Sequence, residues 1–532
     1  MNFLLQTSKN SWCLVAVFIS LWLLLTPTLV SAQLNQPARY EKTQKSNDHD
    51  FTVISMGEKG IALIRDKNDT EHGKKLWEII LLDSTLTESW TYNLPVETRY
   101  NLIGHDYRDQ NLYFLYRQGE TDMGELRIVR IKTSSRLVDE FPYKPELSIR
   151  PTHFNAVGNQ IMLGGYVSNQ PTILLFNLEN NQSKIVPGLL VNNSELLDVR
   201  ANVNNTFNVL IAERQSKVSK KLISKTFDEA GVLLLDDIIE IDTDKTILAG
   251  LTSTLVRDEL LIVGTWSEGI STQASGIFTV LVDPYSEQKI NFYDFGQLSH
   301  FFDYLSPKRA ARTKEKSDKK RQAGKVPDFK THVLPCRLEE TKNGFAFYNE
   351  AYYTSHAVNN TRWNNNPYNY SPYNSYNPYN PYRSYNPYSY GYPYSSYSPN
   401  QSTETKMQLA SLSILDSKGI LVADHGFKMG DLRVTSATQT ADFILTANRN
   451  TLLFNKEKEI NLQVTQEDGV TLISEKIPIQ INNPTESIRS DNENIGSVRF
   501  WYDHYLYLYG YQTLKNPEKN RDVFYINKIK VE

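Results

Sequence analysis

The adjacent pairs His105-Asp106 and Asp503-His504, a run of carboxylates and Cys336 are residues whose types could do covalent or metal chemistry. His105-Asp106 and Asp503-His504 place an imidazole beside a carboxylate, the partners of general base catalysis. Adjacent residues of a strand face opposite sides, however, so neither pair is expected to act as a unit. Asp236, Asp237, Glu240, Asp242 and Asp244 are dense enough to hold a calcium ion. They lack the spaced glycine of a calcium loop and read better as the solvent face of a strand and its turn. Cys336 has no histidine at the spacing of a recognised local motif and reads as a small buried or idle residue. HExxH, GxSxG, a glycine-rich phosphate loop, paired CxxC and an EF-hand pattern are all missing. The sequence therefore nominates no catalytic residue, no metal site and no cofactor. Tyr505, Tyr507, Tyr509 and Tyr511 fall on one strand face, which suits packing between neighbouring sheets or, alternatively, a sugar-stacking platform.

Non-covalent chemistry is better represented. Between Lys308 and Lys325 nine Lys or Arg stand against only Glu315 and Asp318, a local balance of +7. Ser306-Pro307 supplies an N-cap and a first-turn proline, and Gly324 a stop, so the run is predicted to be one helix. Its Lys308, Arg309, Arg312, Lys319, Lys320 and Arg321 are candidate contacts for anionic lipid head groups, lipopolysaccharide phosphates, acidic glycan or a partner. A solvated helix held by a few charge pairs is the plainer alternative. Phe301, Phe302, Tyr304 and Leu305 are expected to pin this helix to the body of the protein. From Trp363 to Asn400 there are 12 Tyr and seven Pro in 38 residues. Proline at that density excludes a continuous helix or central strand, and a disordered or polyproline-like loop is predicted. Tyr368, Tyr379, Tyr382 and Tyr388, each in an Asn-Pro-Tyr triplet, are candidate stacking residues on that loop. A repeat expansion tolerated at a hairpin tip explains it equally well.

These elements must be carried by something, and the remaining sequence is dominated by period-2 runs. Gly60–Arg65, Asn111–Arg117, Gln160–Val167, Thr206–Glu213, Glu259–Gly264, Gly344–Tyr348, Asp442–Thr446 and Tyr505–Tyr511 look equivalent. Up to the fifth, their centres lie roughly 46 to 53 residues apart, the period of four-stranded propeller blades rather than of helical repeats. Turns rich in Asp and Gly recur after the following strand, as at Asp228–Gly231, Asp416–Gly419 and Gln466–Gly469. The fold class is accordingly all-β: an eight-bladed β-propeller, with seven blades as the fallback, carrying one basic helical insertion and one disordered Tyr/Pro/Asn-rich loop. The last unit, Val523–Val531, has no strand after it, so residues near Tyr40 to Ser46 are expected to close the ring. Two unrelated β-sandwiches are the competing architecture.

The chain has 532 residues, 40% hydrophobic and 22% charged, which suits a globular body. Trp12 to Leu25 is apolar apart from one serine, and Val30-Ser31-Ala32 offers small residues before Gln33. Residues 1–32 are therefore read as an export signal, too short for a bilayer span. The rest divides into propeller (33–296), basic insertion (297–330), propeller (331–356), low-complexity loop (357–404) and propeller (405–532). Formal charge is −3, so no global basic field recruits nucleic acid. With Cys13 in the leader, Cys336 has no intrachain partner, and stability after export must come from packing.

Residues 296–430, with Phe301-Phe302-Asp303-Tyr304 opening the basic helix, the Asn349-Glu350-Ala351-Tyr352-Tyr353 strand and the low-complexity tract, resemble a group of uncharacterised secreted bacterial propeller-like proteins. That resemblance implies an exported protein of the bacterial envelope, in the periplasm, on the outer membrane or outside the cell; it supplies no mechanism. Two functions stay open. One is a non-enzymatic binding or scaffold module contacting an envelope protein or polysaccharide, with peripheral contact to an anionic membrane through the basic helix. The other is a glycan-active hydrolase or lyase with carboxylates around a central channel.

Overall fold

The computed structural model describes residues 34–531, apart from 357–402 and short stretches at 120–123, 215–219, 242–243, 255–258, 270, 284–287, 328, 436, 447–448, 468, 493–495 and 517–518. The leader and the Tyr/Pro/Asn-rich segment, with Tyr368, Tyr379, Tyr382 and Tyr388, lie outside the described residues.

Eight antiparallel sheets follow one another along the chain and form an eight-bladed propeller. The first blade consists of Thr52–Ser55, Ile61–Glu71, Lys74–Leu82 and Glu88–Glu97, numbered outward from the axis, and the next six repeat that meander. Alternation explains the stacking. Odd and even residues of each strand face opposite neighbours, so every middle strand is apolar on both sides, as in Ile61, Ala62, Leu63 and Ile64, all fully buried. Each hydrophobic cluster accordingly spans two consecutive blades: Ile54, Ala62 and Ile79 of the first pack with Leu112, Phe114 and Val129 of the second. No blade can bury both faces alone, and the stack closes into a ring.

Closure uses the N-terminal segment. Leu34–Thr43 pairs antiparallel with Arg521–Val531 and becomes the outermost strand of the eighth blade; an N-terminal strand closes the ring as expected, but it lies earlier than the expected Tyr40 to Ser46 and shares only Tyr40–Thr43 with it. Polar groups seal the seam. Arg39 donates to Glu41 at 2.6 Å, Asn527 at 2.8 Å and Gln512 at 2.9 Å, while Arg521 bridges Glu41 and Glu486, each at 2.6 Å. On the inner side Trp501, fully buried, donates its indole N–H to the carbonyl of Gly60 in the first blade at 3.1 Å.

One repeat is out of phase with the sequence reading. Asp442–Leu445 is the innermost strand of the seventh blade, and the equivalent second strand is Asn450–Lys456. The slip arose because that innermost strand has only four residues, so two apolar runs stand side by side. A further regularity was not foreseen: in six blades the innermost strand carries one residue without a partner in the register, namely Ile103, Thr152, Leu197, Leu248, Cys336 and Trp501. Such bulges bend a strand and raise its twist. Cys336 is thus a buried bulge residue, its thiol donating to the Leu334 carbonyl at 3.2 Å.

The outermost strands differ in how their free edges are guarded. Proline or a basic residue lies on those of blades one, two, three, six, seven and eight, for example Pro95, Pro142, Lys184, Lys428, Pro478 and Pro37. Leu233–Glu240 of the fourth blade has neither and exposes Leu234 at 50% and Ile238 at 55%. Its charges are Asp236, Asp237 and Glu240 alone, so it lacks the proline or lysine that blunts an edge best, and its exposed apolar side chains favour aggregation there.

Two outcomes follow. Trp501→Ala is expected to lower the unfolding free energy by about 3–5 kcal/mol in urea titration; a loss below about 1 kcal/mol would show that the seam does not depend on that indole. Ile238→Lys is expected to delay the onset of light scattering on heating while changing unfolding free energy by less than about 0.5 kcal/mol. Unchanged scattering would clear the fourth-blade edge of that role.

Candidate functional site

Four buried carboxylates near the axis, Asp106 of the first His–Asp pair among them, serve the interfaces between blades. Asp106 sits on the innermost strand of the second blade and accepts the backbone N–H of Ala156 in the third at 2.8 Å. Asp198 of the fourth blade takes the N–H and hydroxyl of Thr252 in the fifth, both at 2.8 Å. Glu350 of the sixth takes the N–H groups of Thr440 and Ala441 at 2.9 Å, and Asp442 of the seventh takes that of Phe500 in the eighth at 2.8 Å. All four are buried. Burial pushes Asp106 and Asp198 up to about 6 despite these bonds. His105 lies back to back with Asp106, as alternation requires; burial lowers it to about 3, and neither ring nitrogen has a hydrogen-bond partner among the described residues. His153 is lowered to about 3 by the same cause. Asp503-His504, by contrast, is an exposed turn with its members 3.5 Å apart.

The acidic run is likewise structural. Asp236 pairs with Lys225 at 2.5 Å, Glu240 with Lys221 at 3.5 Å, and Asp237 accepts from Gln288 at 3.3 Å. Asp242 lies outside the described residues. Tyr507 and Tyr511 are buried between the eighth and first blades with Tyr505 and Tyr509 packed beside them, and Tyr511 accepts the N–H of Phe51 at 2.6 Å.

What remains is the basic insertion. Its helix runs Pro307–Gln322 within the predicted span. Ser306 occupies the N-cap position without a side-chain cap bond. Gly324, at φ +68°, ends the helix: its N–H meets the Arg321 carbonyl at 3.0 Å and that of Lys325 meets Lys320 at 2.9 Å, the paired bonds of a Schellman stop. The chain leading into the helix is tied down on both sides. Asp424, on the outermost strand of the sixth blade, accepts the N–H groups of Ser299 and His300 at 2.6 and 2.7 Å. Phe295 and Phe301 stack with centroids 3.8 Å apart, and both join Leu298 and Phe302 in the core shared by the fifth and sixth blades. The short outermost strand of the fifth blade, Ile290–Asp294, leaves the space that this aromatic wedge occupies.

The helix docks by Ala310, Lys314, Ser317 and Arg321, at three- and four-residue steps on one face. Ala310 packs on the wedge. Ser317 donates to Asp294 at 3.3 Å, Arg321 reaches the same carboxylate at 3.1 Å, and Lys314 donates to the Ser299 carbonyl. Arg321 was expected as a free contact, and its strongest partner is instead Asp294, 27 residues away, where sequence spacing gives no warning. Lys308, Arg309, Arg312, Lys319 and Lys320 do lie on the exposed side. Stepping 100° per residue places these five, with Lys316, inside an arc of about 120°. Glu315 and Asp318 fall outside it. Lys316 was omitted from the expected contacts, although the same arithmetic finds it.

No protein-family model and no curated protein matches the sequence. Among solved structures the chain is similar to the β-propeller domain of the Trilobed protease from Pyrococcus furiosus, at 11% identity and TM-score 0.35, over 81% of this chain and 93% of that one. It is similar to a polysaccharide lyase at 10% identity and TM-score 0.37, over 90% and 99% of the two chains. A prolyl endopeptidase matches at 10% identity and TM-score 0.39, over 94% of this chain and 58% of that chain. At these identities and scores the likenesses assign no chemistry to this chain.

The buried groups near the axis set a pH dependence whose sign can be worked out. His105 and His153 hold depressed values, so their contribution is lost as pH falls below 6.5; between pH 7 and 5 that is roughly 2 kcal/mol each. Asp106 and Asp198 hold raised values and regain about 1 kcal/mol each over the same range. In thermal melts His105→Gln is expected to shallow the decline in stability from pH 7 to 5, and Asp198→Asn to deepen it. Parallel pH profiles for all three proteins would exclude this assignment.

Proposed function

We propose that this protein is an exported, non-enzymatic binding or scaffold module of the bacterial cell envelope, whose basic helix is its principal contact element. The observation that carries the reading is the segregation of charge: Lys308, Arg309, Arg312, Lys316, Lys319 and Lys320 share one exposed arc with no carboxylate among them. A helix shaped only for solubility intersperses its signs. Here both carboxylates lie outside the arc, Glu315 paired with Lys319 at 2.6 Å and Asp318 with Arg321 at 3.3 Å. The column Lys308, Arg312, Lys316 and Lys320 instead sets like charges four residues apart, costing about 0.2–0.5 kcal/mol per step. An anionic partner offsets that cost; the isolated fold does not. The buried carboxylates Asp106, Asp198, Glu350 and Asp442 are engaged in holding blades together, which weighs against the glycan-active alternative.

Pull-down of isolated envelope material by the purified protein tests this reading. Arg309→Glu with Arg312→Glu is expected to reduce capture tenfold or more at low salt, while unfolding free energy changes by less than about 1 kcal/mol. Undiminished capture, or turnover of an envelope polysaccharide by the purified protein, would overturn it.

A further inference from the structure

Resting on that reading, we infer that the ligand of the basic arc is a linear acidic polysaccharide, gripped along the helix by its carboxylate groups. Geometry favours a line over a plane. Lys308, Arg312, Lys316 and Lys320 succeed one another at four-residue steps, about 6 Å each along the axis, giving a file of cations about 18 Å long. Arg309 and Lys319 flank the file on either side. Glu315, just beyond one margin of the arc, pairs with Lys319 at 2.6 Å, so among the described residues the unpaired cations of the arc are those of the file and Arg309.

The side chains within the arc distinguish this ligand from other anions. A membrane-surface helix buries an apolar face among the acyl chains. Leu298, Phe301 and Phe302 of this insertion are instead sealed in the core of the fifth and sixth blades. A site for single-stranded nucleic acid adds aromatic platforms on which bases stack, and the arc contains none. Cations alone, two of them guanidinium forks that match a carboxylate bidentately, fit a chain whose only strong feature is its repeated anionic group. The helix is also held at both ends, by the stacked Phe295–Phe301 pair in the chain leading into it and by the paired backbone bonds of the Gly324 stop at its exit. Such preorganisation lowers the ordering cost of binding an extended polymer.

Fluorescence anisotropy with labelled polygalacturonate tests the inference on the intact protein. Saturable binding is expected, falling about tenfold or more between 50 and 200 mM salt. Arg312→Glu with Lys316→Glu should weaken it tenfold or more. Arg312→Gln with Lys316→Gln, which removes charge without reversing it, should weaken it less. Neutral dextran should not compete. Tighter binding to phosphatidylglycerol vesicles, or to an oligothymidylate of matched charge, would overturn the inference, as would polygalacturonate binding indifferent to both double variants. Should envelope capture depend on the arc while polygalacturonate neither binds nor competes, the glycan assignment falls and the contact role of the helix stands. Should capture be indifferent to the arc as well, both fall.

Discussion

Each blade of a propeller ends, near the axis, in a strand with a neighbour on only one side, and the backbone groups on its free edge are too deeply placed to be left to bulk water. Buried N–H groups need acceptors. In this protein the preceding blade supplies them from side chains: Asp106 to Ala156, Tyr166 to Leu196, Asp198 to Thr252, Glu350 to Thr440 and Ala441, Asp442 to Phe500, and Tyr511 to Phe51 across the seam. Six of the eight junctions are held by this one arrangement. Apolar burial packs the blades, but it is non-directional; these bonds fix how far each blade turns relative to the last.

The same constraint explains how the axis comes to hold buried titratable groups. A carboxylate that accepts an N–H from the next blade is fixed in place by that bond, and its raised affinity for protons is the consequence of burial. The His105-Asp106 pair shows the distinction. The two side chains face different blades, the carboxylate serving the junction with the third and the imidazole lying on the opposite face. The connections between blades differ in length. At the fifth-to-sixth junction that connection is long, and its aromatic residues complete the shared core before the basic helix begins. The core thus presents the helix without using it.

Legibility in the sequence follows interaction range. Eight blades could be read because strand alternation and turn chemistry are local, and the closing strand because a missing fourth strand leaves a visible remainder. The seventh blade slipped by one strand where a four-residue element stood next to another apolar run. The junction bonds could not be read at all: Asp106 and Ala156 lie 50 residues apart, and a lone Asp in an apolar strand looks the same whether it caps, catalyses or is tolerated. The helix shows both cases at once. Its exposed cations follow from 100° arithmetic, Lys316 included, whereas the inward turn of Arg321 depends on Asp294, 27 residues upstream.

Within the helix, stability and charge placement disagree in a way that bears on function. The first turn contains no acidic residue, and Lys308 and Arg309 stand at the positive end of the macrodipole, where cations are unfavourable by about 0.3–1 kcal/mol. Folding gains nothing from them there. Lys319, Lys320 and Arg321 in the last turn are placed as the dipole favours, and Arg321 is further used on Asp294. A helix selected for stability alone would carry cations at its C-terminal end and carboxylates at its start. This one continues the cationic file through both ends, keeping the same sign where the local field opposes it, and the docking face of Ala310, Lys314, Ser317 and Arg321 does not require that. An anionic partner along its length, as proposed above, would give the uniform file a physical rationale.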